Sequence, residues 1–451
     1  MDFQSLDSLA HETVIFVIAN AWYHEKVLTL IQDHSSSPSF EKIWSDTENK
    51  VLSNLLALPV PSCIHKDFLN FCQPMGKQIR DWVETHSFLR FNNKITNKVL
   101  SWNRLGLIER KRTARNVLTN SSEPDRFLFR LACMHGFEED ILAIWPKIRT
   151  TVDTSFPQIC NMDPTVAFWI CRLERNLETL MAAVDYVGYR DDFYFAFWLA
   201  TYGNNDIAAE LYLGKLLPEE RQRLVNTTAR KLCETECSFN FPMLPFLLLY
   251  LDEPAQEELL SEYPQPILAQ FLSWSRVGKF TELVNRTWTY LQVSDFYRIL
   301  DELAHCVSEF HRSQIYQNIF RGFWHDSPSH CREYVRRMCI EGTYLIRLSL
   351  ISHTDCILKT IVQSFTLDQK QQMISSSNGV QFMVSLMKKQ RWDTIQMVFE
   401  ECVLVEGKED WIHILINLFK DEFEYKLLYP VTLATDKKRF MEILNNIRNT
   451  R

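Results

Sequence analysis

Apolar residues recur along this chain at intervals of three and four, and one block of them returns. Phe129, Phe168, Phe197, Phe271 and Phe382 each open a short periodic segment. Three residues after each stands a small side chain, Ala132, Cys171, Ala200 or Ser385, with Trp274 in the Phe271 copy. A polar or glycine break follows seven or eight residues after the aromatic, at Gly136, Asn176, Gly278 and Gln390. Apolar positions resume at Ile141 and Leu142, Leu180 and Met181, Leu283 and Val284, and Ile395. The copies close on Trp145, Val184, Trp288 and Val398. The Phe197 copy keeps this order with an early second half: Gly203, Ile207, Ala208, Leu211. Spacing of three and four puts these residues on one face of a helix, and the break supplies a turn. Each block therefore predicts a helix, a turn and a second helix. Units that bury their apolar side only against neighbours form stacked arrays. The expected fold is all-α: an elongated α-solenoid of irregular helix-turn-helix repeats.

The intervals between anchors fit repetition with lost members. Phe197 to Phe271 is 74 residues and Phe271 to Phe382 is 111, two and three units of 37. Phe129 to Phe168 is 39 and Phe168 to Phe197 only 29, so the motif carries the argument more than the period.

Residues 1–118 depart from the repeat and form a divergent helical N-terminal region. Ile15, Phe16, Ala19, Trp22 and Tyr23 share one helical face, and Val27, Leu28 and Ile31 start a second helix. Leu55 to Pro61 ends a helix, because the residue before a proline is biased out of the α region. A further helix is expected from Gly76 to about Glu84, and one or two more between Lys94 and Val117. Thr119 to Pro124, polar and rich in capping residues, marks the first boundary. A helical-repeat region follows over 119–374, broken at Ser375 to Gly379. Residues 375–451 carry the C-terminal helical repeats, ending in Trp411 to Phe419 and a helix from Thr435 or Asp436 to about Ile447.

Composition narrows the fold further. In 451 residues there are 30 Phe and 12 Trp but only 11 Gly. That is ample material for a core, and little for phosphate-cradling loops or a doubly wound sheet. Net charge is −7, whereas proteins that grip phosphate backbones carry a basic balance or stripe; no nucleic-acid partner is expected. The one basic cluster, Arg104, Arg110, Lys111, Arg112 and Arg115, reads as a solvated helix face, with an acidic partner or a targeting patch as alternatives. The apolar run from Thr13 to Ala21 is short and leads into Trp22, so it reads as a buried helix rather than a signal peptide. No run reaches the length of a membrane span, and no membrane partner is expected. Twelve cysteines are scattered, many at apolar helical positions, as reduced thiols of a cytoplasmic protein would be. The triplets starting at Asn120, Asn226 and Asn285 then read as chance matches to a glycosylation site.

Two copies resemble the helical half of an ankyrin repeat: Leu131 to Gly136 leading to Ile141 and Leu142, and Leu199 to Asn204 leading to Ile207 and Ala208. The Thr-Pro-Leu-His opening and the hairpin turn of that family are absent. Through Phe127 to Trp145, Phe320 to Met338 and Trp288 to Leu291, the chain also looks similar to a multi-copy family of uncharacterised arthropod helical-repeat proteins. That resemblance implies a helical array and transfers no functional residue.

Sites of chemistry are few. Cys233 and Cys237 stand at helical i,i+4 spacing without a second ligand pair. His325, His330, Cys331 and Cys339 cluster in sequence, but the two thiols lie two turns apart on one helix. Exposed histidines beside packed thiols are the expected arrangement there. No nucleophile elbow, His-Glu-x-x-His helix or phosphate loop is present. Glu138, Glu139 and Asp140 open a helix, where anions complement the dipole. Trp145, Trp169, Trp198, Trp274, Trp288 and Trp324 read as core. No catalytic, cofactor-binding or metal-binding residue is assigned. The chain is expected to be a non-enzymatic scaffold presenting stacked helices to a protein partner. Two alternatives stand beside it. One is an adaptor whose N-terminal region recruits a second partner, since Leu56 to Pro59 with Phe68, Leu69 and Phe71 faintly resembles an F-box opening. The other is an enzyme, which a deep polar pocket gathering His, Cys and carboxylates would favour.

Overall fold

The computed structural model describes residues 9–24, 27–34, 37–89, 99–120, 123–152, 162–186, 188, 191–235, 243–351 and 355–403, with a few positions beyond. Among the described residues the chain is all-α, 78% helix in 24 helices with no strand. It forms two compact units, residues 1–280 and 281–451. The expected boundaries at 118/119 and 374/375 fall within helices. Residue 118 lies inside Arg110–Asn120, a helix packed on the next one, and residue 374 lies inside Leu367–Ser375.

The first unit opens with α1 (Leu9–His24), α2 (Val27–His34), α3 (Phe40–Leu56) and α4 (Ser62–Thr85), and α4 packs against all three. Their centre is Trp22, fully buried and stacked on Trp44 with centroids 5.3 Å apart. Its indole N–H donates to the Cys72 carbonyl at 3.0 Å. A Cβ on Gly76 would lie 2.2 Å from the Trp22 ring, so only glycine lets α4 pass this close. The helix expected from Gly76 starts instead at Ser62 and runs through the buried Pro74. Packing on three helices outweighs the proline's missing donor, a cost of about 3 kcal/mol. Phe16, placed on the buried face by sequence, is 68% exposed; Ile15, Ile18, Ala19 and Trp22 make that face. Between Lys94 and Val117 the described residues 99–109 are not helical. The Asn103 side chain accepts from the Leu105 and Leu107 amides, and Gly106 sits at φ 68°. This local turn competes successfully with helix, and α5 (Arg110–Asn120) begins only after it.

Three of the helix pairs expected from the aromatic motif follow as α6 (Asp125–His135) with α7 (Glu138–Ile148), α8 (Pro164–Leu173) with α9 (Leu177–Ala183), and α10 (Asp192–Tyr202) with α11 (Asp206–Lys215). All three turn by the same device. The amides of Phe137, Asn176 and Asn205 donate to the carbonyls of Ala132, Cys171 and Ala200 at 2.9, 2.7 and 2.8 Å. The residue before each, Gly136, Arg175 or Asn204, is left-handed at φ 67°, 57° and 53°. This is the Schellman closure. In two copies it falls one residue away from the break read in sequence, on Arg175 rather than Asn176 and on Asn204 rather than Gly203. Asparagine tolerates the left-handed region well, so the glycine beside it is free to stay at φ −78°. The small residue at the third position of each copy is buried.

The pairs do not touch only their sequence neighbours. α6 packs on α8 and α8 on α10, but α11 also returns to α6. The Asn205 amide nitrogen donates to the Met134 carbonyl at 2.8 Å. α12 (Pro218–Glu234), α13 (Met243–Leu248), α14 (Glu253–Glu262) and α15 (Pro264–Gln270) complete the unit. The Phe271 copy fails here. Phe271 caps the end of α15, and turns with one 3-10 segment lead to α16 (Phe280–Thr287), so no first helix forms.

The second unit contains α17 (Val293–Glu309), α18 (Gln314–Asp326), α19 (Ser329–Ile340), α20 (Tyr344–Ile351), α21 (Cys356–Gln363), α22 (Leu367–Ser375), α23 (Ser377–Lys388) and α24 (Trp392–Cys402). Its packing advances in steps of three helices. α17 meets α20, and α20 meets α23; α18 meets α21, and α21 meets α24; α19 meets α22. Several hydrogen bonds between helices three apart span 36–38 residues, while Arg347 to Asp301, between α20 and α17, spans 46. Gln369 Nε2 donates to Glu333, 36 residues away, and Ser349 and Ser385, also 36 apart, share a 2.8 Å bond. Asn378 donates to the Glu341 carbonyl across 37 residues, and Gln363 to Glu401 across 38. The Phe382 copy turns like its three predecessors, with Gln390 at φ 55° and the Arg391 amide donating to Leu386 at 2.9 Å. Most of Trp411 to Phe419 and of the segment from Thr435 to Ile447 lies outside the described residues.

Candidate functional site: a cationic cleft between α18 and α21

α18 carries Arg321 and His325 one turn apart. α21, packed against it, carries Cys356, Lys359, Thr360 and Gln363 on one face, with Ser364 just beyond. These seven residues line a cleft of about 290 Å³. Arg321, His325, Lys359 and Gln363 are exposed, Cys356 and Ser364 half-buried, and Thr360 buried. The hydroxyls are already committed. Thr360 Oγ1 donates to the Cys356 carbonyl at 2.7 Å and Ser364 Oγ to the Ile361 carbonyl at 2.6 Å. Gln363 Nε2 donates to Glu401 Oε1 at 2.9 Å. Burial pushes the Cys356 thiol up, partly offset by the nearby Arg321 guanidinium.

Charge decides what this cleft can hold. The nearby carboxylates have cations of their own: Glu401 pairs with Lys370 at 2.9 Å and Asp355 with Arg391 at 2.5 Å. The Lys370 hydrogen bond holds the Glu401 carboxyl below its usual value. Arg321 donates to the neutral Asn318 Oδ1 at 3.2 Å and also hydrogen-bonds the Cys356 thiol. Among the described residues neither Arg321 nor Lys359 is in an ion pair, and no carboxylate lines the cleft. The site offers positive charge and N–H donors. It has no acid–base carboxylate pair.

The sequence had singled out His325 together with His330, Cys331 and Cys339. The structure brings only His325 to the cleft. His330 is exposed in the first turn of α19, while Cys331 and Cys339 are buried within that helix at 1% and 3% exposure. Burial pushes both thiols up. No group of three His, Cys, Asp or Glu side chains suited to a metal occurs among the described residues. Cys233 is buried, and Cys237 lies outside the described residues. Arg321, Lys359 and Cys356 went unread because they belong to helices 35 residues apart in sequence, with nothing local to join them.

The basic cluster is answered from within the chain. Arg104 pairs with Glu12, Arg110 with Asp206, Lys111 with Glu210, Arg112 with Glu109 and Arg115 with Asp140, at 2.5–3.2 Å. Such exposed pairs contribute about 0–1 kcal/mol each. They nevertheless place α5 across the acidic first turns of α7 and α11, where Glu138 also pairs with Lys215 at 2.7 Å. Trp145, Trp169 and Trp324 are core residues at 6%, 2% and 0% exposure, and Trp198, Trp274 and Trp288 are partly buried.

No helix among the described residues is long and apolar enough to cross a membrane. Comparison of the chain with protein-family models and with curated proteins finds no match.

Proposed function

We propose that this protein is a non-enzymatic interaction scaffold, in which the helices of an irregular α-solenoid present a surface to a protein partner. The observation that carries this reading is the three-helix step of α17–α24, with its bonds between positions 36–38 residues apart. Arrays built from such a step generally act by displaying equivalent positions at regular intervals; the step from architecture to role is by analogy. The presenting surface belongs to α17–α24. The earlier pairs are less open, because α11 folds back onto α6. Dispersed thiols outside any disulfide support a cytoplasmic setting as part of the same proposal.

Two observations favour this reading over its rivals. An adaptor needs a separable N-terminal module, yet the core around Trp22 includes Leu131, and Phe71 meets Trp274 at 5.5 Å. The cleft between α18 and α21 is cationic and, although His325 and Cys356 line it, no carboxylate joins them there.

The test is to cross-link the tagged full chain in its native tissue at endogenous level, purify it and map the cross-links. A stoichiometric protein partner joined to exposed residues of α17–α24 is the expected result. A chain that purifies without a stoichiometric partner and turns over a small molecule would overturn the proposal.

A further inference from the structure

We propose that the cleft between α18 and α21 is a binding site for a phosphate monoester dianion. This goes beyond the scaffold reading and does not depend on it. Two opposed helices each contribute one cation, and the flanking carboxylates Glu401 and Asp355 are neutralised by Lys370 and Arg391. Lys359 also acts on Glu401 across space, but Glu401 already pairs with Lys370, so the cleft keeps a net positive charge. A dianion matches both cations, whereas a monocarboxylate leaves one uncompensated. Arg321 supplies a planar fork suited to two phosphoryl oxygens and Lys359 a mobile point charge. His325, one turn along α18 from Arg321, adds a ring N–H at the rim. Thr360 and Ser364 do not compete as donors, because their hydroxyls are engaged by their own helix. At about 290 Å³ the cleft stands at the small end of ligand sites. It takes a phosphoryl group with a few attached atoms rather than a whole nucleotide. A phosphorylated side chain of a protein segment and a small sugar phosphate share that chemistry.

Cys356 gives the site its own reporter, since it is half-buried in the cleft wall, while the exposed Cys63 on α4 is an internal control. The full chain is alkylated with iodoacetamide at mildly alkaline pH, and both cysteines are followed by peptide mass spectrometry. Inorganic phosphate and glycerol phosphate should slow Cys356 severalfold and leave Cys63 unchanged; glycerol and acetate at matched ionic strength should do neither. A phosphoserine peptide that protects better than glycerol phosphate assigns the ligand to a protein segment, and the reverse order assigns it to a small metabolite. The Arg321→Gln/Lys359→Gln double variant should lose the protection while keeping its far-UV circular dichroism. If it does not fold, the exposed Lys359→Gln single variant decides, with weaker protection expected. Should Cys356 react too slowly to follow, phosphate titration calorimetry on wild type and Lys359→Gln replaces it. Absence of protection or heat with every phosphoryl compound, an equal effect of acetate, or full binding by the variants overturns the assignment.

Discussion

His86 and His135 face one another inside the first unit with their Nε2 atoms 2.9 Å apart. The rings are stacked at a 15° interplanar angle, with 2% and 4% exposure. The arrangement fixes both tautomers. A carbonyl can only accept, so His86 Nδ1 carries the proton it gives to the Trp82 carbonyl at 2.7 Å. His86 Nε2 is then an acceptor, and His135 donates to it from Nε2. His135 Nδ1 is left as a buried lone pair without a partner. Burial drives His86 down to about 4 and His135 well below its usual value, and the cations Arg110, Arg130 and Lys111 push the same way.

Acid sensitivity follows from that pair. Both folded-state values are depressed, so the unfolded chain binds more protons below pH 6.5. Stability is complete above 6.5 and falls as pH drops toward 4. His86 alone removes on the order of 3 kcal/mol across that window. Imidazole ¹⁵N spectra should show the stated tautomers unchanged down to pH 5. A normal titration of either ring near 6.5 would remove the account.

The four repeat turns respond to glycine in opposite ways. Gly136 sits at φ 67°, with a Cβ there 3.0 Å from the Leu211 side chain. Gly136→Ala should cost about 1–2 kcal/mol. Arg175 occupies the equivalent left-handed place, exposed, at φ 57°. Arg175→Gly should therefore stabilise by about 0.5–1 kcal/mol, strain relief outweighing added chain entropy. Urea melts of both variants give the signs directly, and equal signs contradict the shared turn.

Ala132 and Ala200 occupy the third position of their copies, each at 0% exposure. Leucine at either should overpack the contact and lower stability by about 1–3 kcal/mol. Variants melting like the parent would show that these helices do not approach as described.

How much of this was legible depended on whether the signal was local. Three- and four-residue spacing gave the helices, and the Phe129, Phe168, Phe197 and Phe382 turns were readable because aromatic, small residue and break lie within one window. Phe271 had the same pattern, but Pro264 and Pro266 start a helix that ends at Gln270, one residue before it. Start signals outranked periodicity there. Pro74 misled in the other direction, since its tolerance depends on partners dozens of residues away. The cleft and the His86–His135 pair were invisible for the same reason: each joins side chains 35 to 49 positions apart.

The thiols provide a separate check. The ten described cysteines are thiols outside any disulfide; Cys63 is exposed, Cys306 and Cys356 are partly buried, and the other seven are buried. Native protein should react first at Cys63 and only slowly at the buried seven, while denatured protein purified without oxidation should titrate all twelve in the sequence. Fewer than twelve, or zinc retained after dialysis, would contradict reduced structural thiols.

The scaffold claim is tested most directly by hydrogen-exchange mass spectrometry of the full chain with and without its purified protein partner. The account predicts added protection on exposed faces of helices three apart, such as α19 with α22 or α18 with α21 and α24. Those helices pack against one another in the three-helix sequence. Protection confined to one helix, or no change in α17–α24 with the partner bound, would contradict it.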